Sequence, residues 1–174
     1  MTVPVVSPQT GRRPGKAGTG NVSDDELIEA VLSASRAMVA LAEESIHQVN
    51  DDVTLAQYRT LVILANGPSR LADLAEAMGV NPSTATRMCD RLVRKQLIER
   101  TRDQLDRREV GLSLTPDGQA LVARVTERRR QLVRGLLKEI PADRRAALVD
   151  SLTLLARAAG SAPSASWSSG WTTR

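Results

Sequence analysis

The sequence has few aromatic residues and almost no cysteine, and it contains no phenylalanine. Tyr58, Trp167 and Trp171 are its aromatic residues, which make up 2% of the 174 positions. Because both tryptophans lie near the end of the chain, a core has to be built from Leu, Val, Ile, Met and Ala, which suits packed helices. A single cysteine, Cys89, excludes an intrachain disulfide and agrees with a reducing cytoplasm, where we expect the protein to be located.

Long hydrophobic runs are also missing. The longest, residues 37–42, is far shorter than a membrane span, so we expect no membrane association. Pro4 and Pro8 interrupt the valines near the N-terminus, which argues against a signal peptide. With one histidine, one cysteine and no glycine-rich phosphate loop, the sequence offers nothing around which to build a catalytic or metal site. We therefore expect neither an enzyme nor a bound cofactor.

The net charge of +4 is distributed unevenly. Residues 81–108 contain eight Lys or Arg and four acids, whereas residues 23–58 contain eight acids and one Arg. A localised binding site for a polyanion and an ordinary solvated surface both explain this asymmetry.

Helical spacing dominates between the two ends of the chain. Helix starts are predicted at the capping pairs Ser23/Glu26 and Thr54/Gln57, at Ser69, at Asn81-Pro82 and at Thr115-Pro116. The first of these opens a helix predicted to reach about residue 49, long enough to serve as a strut between subunits. Pro141 separates the last two helices.

Two short helices joined at Gly79 form a helix-turn-helix candidate. The apolar residues of the second helix leave its other face polar and basic. Hydroxyls and arginines near the start of such a helix suit base edges and phosphates. The DNA-binding residues predicted on this helix are Asn81, Ser83, Thr84, Thr86, Arg87, Arg91 and Arg94.

A β-hairpin is predicted directly after this helix. Residues 97–102 and 110–114 are extended runs that flank a polar segment, as in the wing of a winged helix. Asp106, Arg107 and Arg108, near the predicted tip, complete the predicted DNA-binding set.

These motifs together resemble the MarR family of regulators. The likeness covers about residues 23–158 and is strongest in 71–95, Leu97-Ile-Glu-Arg100, Asp106-Arg-Arg108 and Leu114-Thr-Pro-Asp-Gly118. It implies an intertwined dimer, a recognition helix in the major groove and Arg108 in the minor groove, with Asp106 holding its guanidinium. Members of the family usually repress nearby genes, and a small phenolic or aromatic ligand relieves this repression.

One position departs from the family pattern, which usually has Gly where Gln96 stands. A positive φ at this position would strain Gln by roughly 1 kcal/mol. The alternative is that the turn itself differs here.

Three side chains outside the DNA-binding set have two interpretations each. His47 and Tyr58 lie near the ligand crevice that the resemblance implies, so both are candidate ligand-binding residues. Partial exposure of His47 and core packing of Tyr58 are the alternatives. Cys89 is interpreted as a small buried hydrophobe in preference to a redox switch.

The predicted architecture is a mainly α fold. A winged helix-turn-helix DNA-binding domain at 51–115 stands between long dimerisation helices at 23–50 and 116–159. Residues 1–22 are predicted to form a flexible basic arm, and residues 160–174 a disordered tail. The predicted function is that of a transcriptional regulator, a homodimeric repressor on an inverted repeat of double-stranded DNA. The alternative is a winged-helix adaptor that binds proteins and not DNA.

Overall fold

The computed structural model describes residues 22–102 and 110–160 of the chain. Its helices are α1 (Asp24–His47), α2 (Leu55–Leu64), α3 (Leu71–Met78), α4 (Pro82–Arg94), α5 (Pro116–Lys138) and α6 (Arg145–Ala158), with a 3-10 turn at Ala142–Arg144. The strands β1 (Ser69–Arg70), β2 (Ile98–Arg102) and β3 (Val110–Leu114) form an antiparallel sheet in the order β1-β3-β2. The predicted mainly α winged-helix fold is confirmed. None of the described helices is both long enough and apolar enough to cross a membrane.

Several predictions lie outside the described residues. They are the wing-tip residues Asp106, Arg107 and Arg108, the basic arm up to residue 21 and the tail from residue 161.

The chain divides into two compact units, the first ending at Arg36 and the second beginning at Ala37. In the first unit, the predicted capping box opens α1. The main-chain N–H of Ser23 donates to the Glu26 carboxylate at 3.0 Å, and the N–H of Glu26 donates to the Ser23 hydroxyl at 3.2 Å. The bonds that the carboxylate accepts from the backbone and side chain of Ser23 lower the pKa of Glu26.

The core of the second unit is aliphatic, as the composition predicts. Helices α2, α3 and α4, the sheet and the first half of α5 contribute to it, and Leu61, Leu92 and Val125 have no exposed surface. Tyr58 adds an aromatic ring that is 3% exposed, which agrees with its core-packing interpretation. This core fixes the position of α4 relative to the sheet.

The prediction for the start of α3 was wrong. Ser69 does not cap the helix: the N-cap is Arg70, and no side chain accepts a hydrogen bond there. Ser69 lies in β1 opposite Leu112 of β3. A strand of two residues is too short to show alternation in the sequence, and for that reason β1 was not predicted.

The turn after α4 is anchored to the start of α5. Gln96 has a φ of 57°, so of the two alternatives for this residue the strained, left-handed one is correct. The Thr115 hydroxyl donates to the Gln96 carbonyl at 2.6 Å and accepts the N–H of Gly118 at 3.0 Å. A Cβ on Gly118 would lie 2.0 Å from the Leu97 carbonyl oxygen. The Leu-Thr-x-x-Gly motif therefore joins the end of the helix-turn-helix to α5.

Candidate nucleic-acid interface

The predicted helix-turn-helix is formed by α3 and α4. Gly79 ends α3 with a φ of 67°, a left-handed conformation that glycine adopts without strain. The N–H of Val80 donates to the Ala75 carbonyl at 3.0 Å and closes the turn. Asn81 then caps α4, because its side-chain oxygen accepts the N–H of Thr84 at 2.8 Å.

Helix α4 has one buried face and one exposed face. Ala85, Cys89 and Leu92 are buried in the core. The predicted DNA-binding residues that are exposed on the opposite side are Ser83, Thr84, Arg87, Arg91 and Arg94. Five polar or cationic side chains from one helix thus share a solvent-facing surface.

Two other predicted residues of this helix make hydrogen bonds within its first turns. The side-chain oxygen of Asn81 accepts from the Ser83 hydroxyl at 2.8 Å as well as from the backbone. The hydroxyl of the half-buried Thr86 donates to the Pro82 carbonyl at 2.8 Å. Both side chains therefore help to define the start of α4. Their contacts with DNA stay a prediction.

One flank of the exposed α4 face borders an open cleft of about 270 Å³. The start of α2 forms the other wall, where Thr54 and Gln57 complete the predicted capping box. Arg87 and Arg91 line the α4 wall. Two guanidinium groups on one wall make this cleft cationic.

The other flank of α4 is tied to the sheet by an ion pair. Nη2 of Arg100, in β2, donates to Oδ1 of Asp90 at 2.5 Å. Nε of Arg94 donates to the main-chain oxygen of Asp90 at 3.3 Å. The sequence places Arg100 in a basic region and in a motif of the family resemblance but does not pair it with Asp90, because a strand pattern does not show which helix residue a side chain will meet.

Cys89 is 1% exposed, in line with its interpretation as a small buried hydrophobe. Burial raises the pKa of its thiol, although the positive charge of Arg100 partly opposes that rise. The thiol is thus protonated at neutral pH.

The two predicted ligand-binding residues have different surroundings. The Tyr58 hydroxyl hydrogen-bonds with that of Thr126, in α5, at 3.3 Å. The guanidinium of Arg129 lies 5.3 Å from the centre of the Tyr58 ring. The side chain of His47 is 75% exposed, with Nδ1 4.0 Å from a carboxylate oxygen of Asp51. The structure thus packs Tyr58 against α5 and leaves His47 at the surface.

Arg129 was not predicted as a functional residue. Its Nε donates to the Ser45 hydroxyl at 3.3 Å, while its Nη2 is buried and has no hydrogen-bond partner within the part of the chain that the structure describes. It lies among three consecutive arginines, and their sequence does not indicate which one faces inward.

Comparison with known proteins identifies the family. The MarR family model matches residues 53–110. The multiple antibiotic resistance protein MarR of Salmonella typhimurium is 30% identical over 133 residues, which are 72% of this chain and 92% of that protein. The chain belongs to the MarR family. The crystal structure of RV1404 from Mycobacterium tuberculosis is 42% identical to this MarR-family chain, with a TM-score of 0.75 over 84% of this chain and 99% of RV1404.

A third relative is the HTH-type transcriptional repressor MdtR of Bacillus subtilis. It is 46% identical over 67 residues, which are 38% of this chain and 43% of MdtR. MdtR and YfiV of Bacillus subtilis are HTH-type transcriptional regulators by name. This MarR-family protein is therefore a helix-turn-helix transcriptional regulator.

Proposed function

We propose that this regulator is a homodimeric repressor that binds an inverted repeat of double-stranded DNA in the cytoplasm. The observation on which the proposal rests is the exposed face of α4, where hydroxyls lie near the start of the helix and Arg87, Arg91 and Arg94 follow. Arginine can bind guanine through two hydrogen bonds, and hydroxyls can bind phosphates. MdtR is named as a repressor, and this supports repression, not activation, as the mode of regulation by the present protein.

A protein-binding adaptor without DNA contacts is the competing function. An adaptor would need no cluster of three arginines on the face of α4 opposite the core. An exposed face of this composition is matched to a polyanion and not to the apolar centre of a protein interface. We therefore favour DNA.

Dimer formation is supported by exposed apolar side chains on individual helices. In α6, Val149, Leu152, Leu154 and Leu155 are between 46% and 65% exposed. In the first unit, the α1 residues 27, 28 and 32 are exposed and apolar as well. Large exposed apolar patches mark interaction surfaces. We infer that a second copy covers them, because a two-fold dimer would present two α4 helices to the two halves of an inverted repeat.

A small phenolic or aromatic acid is the effector that we propose. A groove of about 420 Å³ opens beside Thr126, Arg129 and Val133 of α5. The buried Nη2 of Arg129 is a donor without an acceptor among the described residues, and a carboxylate or phenolate would supply one. Such a ligand weakens DNA binding only if it prefers a dimer whose α4 helices are wrongly spaced. Tyr58 adjoins Arg129, whereas the role of His47 in this response is a prediction from sequence alone.

Selection from a random oligonucleotide pool tests the DNA-binding proposal. We expect an inverted repeat whose half-site centres lie about 10 bp apart, bound by two chains. Binding of a single chain to an asymmetric site would contradict the proposed dimer. If no sequence were enriched over random DNA at moderate salt, the result would favour the adaptor function over DNA-binding repression.

The effector proposal is tested by titrating 4-hydroxybenzoate with and without the selected DNA. Linkage requires that DNA weaken ligand binding by the same factor by which the ligand weakens DNA binding. Arg129→Lys keeps the positive charge but loses the planar guanidinium group, so it should reduce the effect of the ligand on DNA binding. Arg157→Gln, an exposed change in α6, should leave that effect intact. Identical ligand affinities in the two titrations would contradict the effector role.

A further inference from the structure

We propose that Arg100 of β2 contacts the DNA backbone and that Asp90 of α4 is the residue that positions it. The inference rests on the proposed DNA-binding function. It adds to the α4 face a cation from the sheet and assigns a role to the acidic residue beside that face.

The geometry of the pair points to a surface role. Nη2 of Arg100 and Oδ1 of Asp90 are 2.5 Å apart, and the two side chains are 50% and 46% exposed. Ion pairs as exposed as this contribute little to folding stability. Holding a guanidinium in one orientation is a role that such a pair can perform at the surface, because the charge-assisted bond is directional.

The position of Asp90 on α4 places the pair next to the proposed DNA-binding face. Asp90 follows Arg87 by three residues and precedes Arg94 by four, so the three side chains lie on the same side of the helix. Arg94 also donates to the main-chain oxygen of Asp90. The guanidinium of Arg100 is thereby held beside the row that Arg87 and Arg94 form.

The position of Arg100 in β2 explains how its side chain reaches α4. Alternation puts Arg100 on the same strand face as Ile98, which is buried, and opposite Leu112, which is also buried. The aliphatic part of the side chain therefore starts on the core side of the sheet, and the head group emerges at the Asp90 flank of α4. Guanidinium has several N–H donors, so one bond to Asp90 leaves others for a phosphate.

An acidic group beside a DNA-binding face opposes DNA binding by electrostatics alone. Asp90→Asn removes that negative charge, so a purely electrostatic role predicts tighter binding. A positioning role predicts weaker binding, because Arg100 loses the partner that orients it. The sign of the change therefore distinguishes the two roles.

The experiment measures the affinity of the full chain for the selected DNA and for random DNA across a salt series. Arg100→Gln should weaken both by about tenfold and reduce the slope of log affinity against log salt by about 0.9 per subunit. Asp90→Asn should weaken both severalfold, and Asp90→Glu should restore part of the loss. In a protein that already carries Arg100→Gln, Asp90→Asn should cause no further loss of DNA affinity.

Glu99→Gln is the matched control. It removes the same charge from the neighbouring position of β2, where the carboxylate accepts from the Ser113 hydroxyl at 3.4 Å. Binding should be unchanged or slightly tighter. Circular dichroism establishes that each variant is folded, and Arg100→Lys, which keeps the charge, should retain most of the salt slope.

Two results would overturn the inference while the proposed function stands. One is tighter binding by Asp90→Asn, and the other is an unchanged salt slope for Arg100→Gln, each with normal binding by the wild-type protein. Failure of the wild-type protein to prefer any DNA sequence would instead overturn the proposed function, and this inference with it.

Discussion

The hydroxyl of Thr115 donates to the main-chain oxygen of Gln96 at 2.6 Å, so one side chain links the turn after α4 to the N-cap of α5. The same hydroxyl accepts the N–H of Gly118. The main-chain N–H of Thr115 donates to the Leu97 carbonyl at 3.2 Å. These bonds fix where α5 begins relative to the end of α4.

Loss of the Thr115 hydroxyl should destabilise the protein. Thr115→Val has nearly the same shape but leaves the Gly118 N–H without its cap and the Gln96 carbonyl without its donor. We expect the free energy of unfolding to fall by about 1–2 kcal/mol, measured by urea denaturation. Thr115→Ser keeps the hydroxyl and should lose much less. Equal losses for the two variants would mean that the methyl group, and not the hydroxyl, is what matters here.

Gln96→Gly should relieve the strain at the same turn. The φ of 57° is unfavourable for Gln and free of strain for Gly, although Gly makes the unfolded chain more flexible. The net expectation is a gain of up to about 1 kcal/mol in the free energy of unfolding. Gln96→Ala keeps the Cβ and should bring no gain. A loss of stability in Gln96→Gly but not in Gln96→Ala would mean that the flexibility of the unfolded chain outweighs the strain, whereas a loss in both would indicate a stabilising contact of the Gln side chain.

Two glycines of α5 should respond to alanine in opposite directions. A Cβ on Gly118 would meet the Leu97 carbonyl oxygen at 2.0 Å, a backbone atom that cannot move aside. Gly118→Ala should therefore cost about 3 kcal/mol or more. A Cβ on Gly135 would meet no atom of the described residues within 4 Å, so Gly135→Ala should stabilise the helix by roughly 0.5–1 kcal/mol. Urea denaturation measures both changes, and a destabilising Gly135→Ala would indicate that a second chain packs closely there.

Local hydrogen-bonding signals were predictable from the sequence, and tertiary contacts were not. Capping residues such as Thr54, Asn81 and Thr115 mark helix starts because their partners lie within three residues. The inward orientation of Arg129 and the pairing of Arg100 with α4 depend on how separate elements pack, which no local pattern encodes. The recognition helix was predictable because the spacing of apolar and polar residues along it defines both its buried and its exposed face.

The reactivity of Cys89 should report on the integrity of the core. Burial raises the pKa of the thiol above its ordinary value of 9.0, so very little nucleophilic thiolate is present at pH 8. A disulfide reagent that releases a chromophore should react at least about tenfold more slowly with the native protein than with the urea-unfolded chain. Fast reaction of the native protein would place Cys89 in contact with solvent.

The same shift predicts how stability depends on pH. Well below pH 9.0 the thiol is almost entirely neutral in both the folded and the unfolded chain, so it contributes almost nothing to the pH dependence there. As the pH rises further, the unfolded chain loses its proton first, and the free energy of unfolding should decrease. Cys89→Ala should lack that part of the alkaline decrease in a series of urea titrations.

Arg87 should determine sequence preference as well as affinity. It is exposed near the middle of α4, one turn after Thr84 and one turn before Arg91, so it lies at the centre of the proposed DNA-binding face. If its guanidinium binds a guanine through two hydrogen bonds, Arg87→Ala should cost about 1–3 kcal/mol per half-site and relax the preference at one or two positions. Arg87→Lys, which keeps the charge without the planar fork, should recover the salt dependence but not the preference. Competition of the selected DNA against variants with single base changes measures both effects. An equal loss on every competitor would make Arg87 a phosphate contact and leave base recognition to other residues of the face.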